Sequence, residues 1–263
     1  MKFRVGLLAI LSLILILRGS DAFAQDESKR SPAVTTGTLS PLKMRSIGPA
    51  LMSGRIADIA IDAKQPNTWY VAAGSGNLWK TINAGTTWKP IFERYGSYSI
   101  GCIALDPSDR DTLWVGTGEN VGGRHVGYGD GIYVSHDGGQ TFVNKGLKNS
   151  EHLSKIIIHP EDSQTLFVAS QGPLWSSGGE RGLYKSTDGG ATWRAVLTRG
   201  PWTGVTDVVM DPKNPNILFA ATHQRHRTVY GLINGGPESG IHKSVDGGET
   251  WVCLLYTSPS PRD

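Results

Sequence analysis

Short apolar runs recur along this chain at regular intervals, and polar, glycine-rich segments separate them. One set reads Ile59-Ala-Ile61, Ile103-Ala-Leu105, Ile156-Ile-Ile158 and Val208-Val-Met210, ending at Asp62, Asp106, His159 and Asp211. A second set follows each: Trp69-Tyr-Val71, Leu113-Trp-Val115, Leu166-Phe-Val168 and Leu218-Phe-Ala220. A third set comes after a variable stretch: Leu78-Trp-Lys80, Ile132-Tyr-Val134, Leu183-Tyr-Lys185 and Ile241-His-Lys243. Runs this short, rich in β-branched and aromatic residues and bounded by turn residues, predict strands, and helical periodicity is largely absent. The 34 glycines fit many tight turns.

A tighter motif closes each unit. It reads Thr81-Ile-Asn83-Ala-Gly85-Thr-Thr87-Trp88, Ser135-His-Asp137-Gly-Gly139-Gln-Thr141-Phe142, Ser186-Thr-Asp188-Gly-Gly190-Ala-Thr192-Trp193 and Ser244-Val-Asp246-Gly-Gly248-Glu-Thr250-Trp251. The central residues Asn83, Asp137, Asp188 and Asp246 are 54, 51 and 58 residues apart. An Asp or Asn side chain accepts backbone N–H groups in a tight turn, and glycine supplies positive φ without a Cβ clash. The aromatic that follows, Trp88, Phe142, Trp193 or Trp251, has area to bury between neighbouring sheets. These aspartates therefore belong to the scaffold. Two motifs locked in phase four times predict an all-β chain, a partial β-propeller of four-stranded antiparallel blades. The blades are expected over 54–92, 97–143, 150–197 and 203–252, the last one incomplete.

The motif resembles the Asp box, or bacterial neuraminidase repeat, and the chain is similar to that β-propeller family from Lys43 to Val252. Ile47-Gly-Pro49 and Ser53-Gly-Arg55 bring it nearest to the sortilin N-terminal domain-like group of exported bacterial proteins, often labelled glycosyl hydrolases. Sialidases, xyloglucan hydrolases, sortilins and photosystem II assembly factors share the box, so the resemblance implies fold far more sharply than function. The sialidase Arg-Ile-Pro opening is missing, with Ser53-Gly-Arg55-Ile56 in a loosely similar place. Where xyloglucan hydrolases carry a catalytic Asp after the second strand of the first blade, this chain has Ala73-Gly-Ser75-Gly76, which counts against their activity.

The two ends change the composition. Lys2 and Arg4, the apolar run Val5–Leu17 and Ala22-Phe-Ala24 form a signal peptide over 1–24. The run is too short for a membrane span, which needs roughly 18 to 20 residues, so a secreted or periplasmic protein is expected, without a membrane span after cleavage. Residues 25–40 read as a disordered leader. Cys253 to Asp263 matches the in-frame translation of a common transposase sequencing adapter, so 253–263 reads as an artefactual tail, and further C-terminal blades of the same polypeptide are expected. Without both ends, 22 basic and 21 acidic residues remain, which provides no electrostatic basis for binding nucleic acid. Cys102 lies in an apolar run, as a buried thiol does.

Candidate function falls on the loops. In such a blade the A-to-B and C-to-D turns share one side, and the B-to-C and D-to-A loops share the other. The B-to-C loops 116–131, 169–182 and 221–240 are long and varied, and variable loops on a rigid scaffold carry sites. They hold Glu119, Arg124, His125, Tyr128 and Asp130; Trp175, Glu180 and Arg181; and His223, Arg225, His226, Arg227 and Glu238. Arg55 joins them beside the first inner strand. This polar, aromatic-edged rim suits a protein, peptide or polysaccharide partner. His223 and His226 lack a third ligand, so they read as exposed loop histidines, and neither metal nor cofactor is expected. Glycoside hydrolysis wants two carboxylates roughly 5 to 10 Å apart. Glu119, Asp130, Glu180 and Glu238 are candidates, but no spacing selects a pair. A binding scaffold is the favoured expectation and a carbohydrate-active enzyme the alternative.

Overall fold

A computed structural model describes residues 54–124 and 126–256 of the 263. The expected signal peptide and leader, and His125, lie outside the described residues. Seventeen strands and no helix are found among those described.

Blade one comprises β1 (Ile56–Ile61), β2 (Trp69–Ala73), β3 (Asn77–Thr81) and β4 (Lys89–Pro90). Blade two comprises β5 (Ile100–Leu105), β6 (Leu113–Thr117), β7 (Ile132–Ser135) and β8 (Val143–Asn144). Blade three comprises β9 (Leu153–His159), β10 (Asp162–Ser170), β11 (Gly182–Ser186) and β12 (Arg194–Leu197). Blade four holds β13 (Thr203–Met210), β14 (Leu218–Arg227), β16 (Gly240–Ser244) and β17 (Val252–Tyr256), with β15 (Leu232–Asn234) as an offshoot of β14. All pairings are antiparallel, between strands consecutive within each blade. The first strands pack in succession, β1 on β5, β5 on β9 and β9 on β13.

The core is three cores, one per interface. Tyr70, Leu78, Phe92, Ile100, Leu113 and Phe142 are buried together between blades one and two. Trp114, Ile132, Leu153, Ile156 and Leu166 do the same between blades two and three, as do Phe167, Leu183, Val205 and Leu218 between three and four. A single sheet hides only one face, so each blade depends on its neighbour for apolar burial.

The boxes fold as their chemistry predicts. Asp188 Oδ1 accepts the Thr192 N–H at 2.9 Å and the Ser186 hydroxyl at 2.8 Å, while Oδ2 takes the Thr192 hydroxyl at 2.6 Å. Asp137 and Asp246 repeat this pattern. In the first box Asn83 accepts the Thr87 N–H at 2.9 Å and donates its amide to the Thr87 hydroxyl, so that hydroxyl reverses its role. Gly190 and Gly248 hold φ of +74° and +84°, where a Cβ would strain the backbone. A Cβ there would also come within 2.6 Å of the Trp114 and Phe167 rings of the preceding blade. Two box aromatics, Trp193 and Phe142, wedge between blades, whereas Trp88 is 40% exposed and lies against Trp69 of its own blade. Trp193 meets Trp114 edge-on at 6.4 Å and donates its indole N–H to Lys145 O at 2.7 Å. Phe142 packs edge-on to Phe92 at 4.9 Å.

Two segments depart from expectation. The blade-four repeat ends at Val252 in sequence, yet Val252–Tyr256 pairs along β16, with Lys243 opposite Val252 and Gly240 opposite Tyr256. The open edge of β16 carries unpaired backbone groups that an extended segment following the box hairpin satisfies. The stretch 221–240, expected as a loop, instead carries β14 on to Arg227 and folds back as β15, with Arg225 opposite Asn234. This ribbon is held down by arginines.

Candidate functional site

Every B-to-C and D-to-A connection lies on one side of the sheets, and the predicted site residues sort there into distinct roles. Arg55, at the mouth of β1, donates through Nε to Glu119 Oε1 at 2.7 Å, and its Nη2 reaches the same oxygen. Glu119 is 1% exposed whereas Arg55 stays half in solvent, so the carboxylate is structural and the guanidinium faces outward. Gly74 sits against this carboxylate; a Cβ there would come 2.7 Å from Oε1. The Ala73-Gly-Ser75-Gly76 segment thus makes room for Glu119.

Asp130 and Glu238 are held by their own blades, and Glu180 by the connection that leads from blade two into blade three. Asp130 accepts the Tyr133 hydroxyl at 2.6 Å and the Thr117 hydroxyl at 3.3 Å. Glu180 takes the Asn149 N–H at 2.7 Å, and Glu238 takes the Thr203 hydroxyl.

Arg181 and Arg225, expected on the rim, are buried at 6% and 3% exposure. Arg181 donates to the carbonyls of Gly178, Gln171, Pro173 and Ser176 and lies 5.8 Å over the Trp202 ring. Arg225 reaches Val121 O and Gly172 O, both at 3.3 Å. Burial pulls each guanidinium down to about 10, and for Arg225 the charge of Arg181 adds to that effect. At neutral pH both keep their proton. Arg227 donates to Gly122 O at 3.1 Å, and Arg124 donates to Val229 O at 3.2 Å. The blade-four ribbon therefore locks onto the blade-two loop across more than 100 residues of sequence.

His223 and His226 are strand residues of β14, partly buried, rather than exposed loop histidines. His226 stacks on Trp202 with centroids 3.7 Å apart, and burial, then Arg225, lowers the His223 pKa. Among the described residues no three His, Cys, Asp or Glu side chains converge on one point.

Sequence patterns single out none of Tyr98, Glu151, His152 or Trp202, which occupy D-to-A loops like Arg55. His152 is fully buried, 5.7 Å from the Tyr128 ring. Burial, then Arg225, depresses it to about 3, so it is neutral and its 4.0 Å approach to Glu151 is no ion pair. The signal available was position: each residue lies just before an inner strand, on the face already assigned to variable loops. Exposed aromatic rings mark the same face: Tyr98 at 56%, Tyr128 at 55%, Trp175 at 37% and Tyr230 at 92%.

The family model for "Sortilin, neurotensin receptor 3" (Sortilin-Vps10) matches residues 130–257. A xyloglucanase from Paenibacillus sp is 24% identical over 252 residues, covering 85% of this chain and 23% of the relative. A xyloglucanase from Hypocrea jecorina is 27% identical over 248 residues, covering 81% and 27%. The crystal structure of the Niastella koreensis GH74 enzyme superposes with a TM-score of 0.58 at 25% identity, over 76% of this chain and 29% of that one. The chain has the fold of a partial β-propeller. It spans about a quarter of the length of the curated relatives it matches. In the propeller the loop face lies at one end of every blade, with Arg55, Glu119 and the buried arginines at its base. No helix among the described residues is long and apolar enough to cross a membrane.

Proposed function

We propose that this chain contributes the loop face of an exported propeller that binds an extended polysaccharide, with xyloglucan-like chains as the first candidate. The observation that supports this reading most is the exposure of four rings, Tyr98, Tyr128, Trp175 and Tyr230, on connections of the loop face. Flat apolar rings carried on the connections of a rigid scaffold suit the C–H faces of sugar rings. The xyloglucanase relatives favour a glycan over a peptide as ligand. The engagement of Glu119, Asp130, Glu180 and Glu238 by groups of the fold supports a binding role for this segment over an acid and base pair.

The second reading is glycoside hydrolysis, favoured by those same relatives. Affinity electrophoresis in xyloglucan gels, with a reducing-end assay alongside, separates the two. Retarded migration without new reducing ends is expected, and Tyr128→Ala with Trp175→Ala should weaken retention roughly tenfold while leaving the melting temperature unchanged. Unretarded migration on xyloglucan and on a panel of other polysaccharides would overturn the binding proposal. Hydrolysis lost in Glu119→Gln or Asp130→Asn would establish the enzyme instead.

A further inference from the structure

The blades meet through a device that repeats, and its copy on blade four stands open. In blade one Tyr70 is the cross-strand partner of Lys80, in blade three Phe167 partners Lys185, and in blade four Phe219 partners Lys243. Each ammonium lies over its ring, at 5.1, 5.5 and 5.6 Å. In the first two cases the pair receives the box hairpin of the following blade. Lys80 donates to Gly138 O at 2.7 Å and Lys185 to Gly247 O at 2.8 Å. The next glycine of each box then lies against the preceding blade: a Cβ on Gly248 would come 2.6 Å from Phe167, and one on Gly139 would come 2.6 Å from Ile91 and 3.7 Å, an ordinary contact, from Tyr70. Between blades two and three Val134 replaces the lysine, and Trp114 alone carries Gly190.

On the outer flank of blade four the same surface lies bare. Ile241 is 44% exposed, whereas its counterparts Leu78, Ile132 and Leu183 are fully buried. Val209, the cross-strand partner of Phe219, is 50% exposed, and Phe219 is only half-buried. An apolar patch carrying a positioned ammonium is matched by a partner with a bare carbonyl and no side chain beside it. A box hairpin has both. We infer that Phe219 and Lys243 form a socket for the Asp-box hairpin of a further blade, its first glycine giving a carbonyl to Lys243 and its second lying on Phe219. The socket is on the flank of the sheet, so it stands or falls independently of the loop-face ligand.

The test uses the full 263-residue chain, isotope-labelled, and a disulfide-closed hairpin peptide with the sequence of Ile132–Asn144, titrated by NMR. The expected result is shift changes confined to Phe219, Ile241, Lys243 and their neighbours. A peptide carrying Gly139→Ala should bind at least about tenfold more weakly, since its methyl meets the ring. Lys243→Ala, which removes a half-buried ammonium and leaves the apolar core of blade four in place, should weaken the parent peptide by a similar factor. Equal binding by the alanine peptide and by Lys243→Ala, shifts centred elsewhere, or no binding at millimolar peptide would overturn the socket.

Discussion

Arg55 Nε donates to Glu119 Oε1 at 2.7 Å, joining the entrance of blade one to the end of the second strand of blade two. Glu119 has surrendered nearly all its water, while Arg55 keeps half of its own. Removing the arginine therefore strands a buried carboxylate, whereas removing the glutamate releases a guanidinium that solvent accepts. Arg55→Ala is expected to cost about 1 to 3 kcal/mol in urea unfolding. A double-mutant cycle with Glu119→Ala should show coupling above about 0.5 kcal/mol. Additive effects would mean that the pair is not formed.

The second glycine of each box is a contact residue as much as a turn residue. Gly190→Ala must strain a backbone at φ +74° and push a methyl against Trp114. A loss of about 2 to 4 kcal/mol follows from the two effects together. The control is Gly178→Ala, where φ is +76° but nothing lies within 4 Å of the added methyl. Its loss should be about 1 to 2 kcal/mol, from backbone strain alone. Equal losses in thermal melts would remove the inter-blade contact from the explanation.

The boxes and inner strands are readable from sequence because their chemistry is local: Asp188 binds atoms within four residues of itself, and the signal repeats with the blade. The loop face is less readable for the opposite reason. Arg225 looks like a rim cation until its partners are seen to be Val121 O and Gly172 O, 104 and 53 residues away. His226 looks like an exposed loop histidine because nothing nearby in sequence announces the Trp202 ring beneath it. Period and composition likewise do not show a strand outrunning its sheet, as β14 does, since the polar residues of Thr222–Arg227 suit a ribbon and a loop equally.

Cys102 is sealed between blades two and three, at 1% exposure. Burial, aided by the charge of Asp58, pushes its thiol well above the usual range, so the reactive thiolate is scarce. In native buffer it should resist iodoacetamide for hours. In a urea series its labelling, followed by peptide mass, should rise with the loss of blade packing. Prompt labelling of Cys102 without denaturant would mean that the interface opens readily.

The Asp boxes should also set the acid limit of the fold. Thr192, through its hydroxyl and then its N–H, holds the Asp188 carboxyl down to about 2. Asp137 reaches about 2 as well: burial pushes it up, but the Thr141 hydroxyl and N–H and the Ser135 hydroxyl outweigh that. Asp246 is depressed in the same sense, led by the Thr250 hydroxyl. An unfolded aspartate titrates near about 3.9, so the folded state binds fewer protons than the unfolded state between the two values. The stabilisation is fully present above about pH 5 and drains away as pH falls through about 4 towards 2. Asn83 shows that an amide holds the same turn without titrating, its Oδ1 still taking the Thr87 N–H. Replacing Asp137, Asp188 and Asp246 together by Asn should therefore flatten the fall in urea midpoint between pH 5 and 2, at the expense of a lower midpoint at pH 7 where charge-assisted bonds are lost. An acid slope identical to that of the parent chain would place the titrating groups elsewhere.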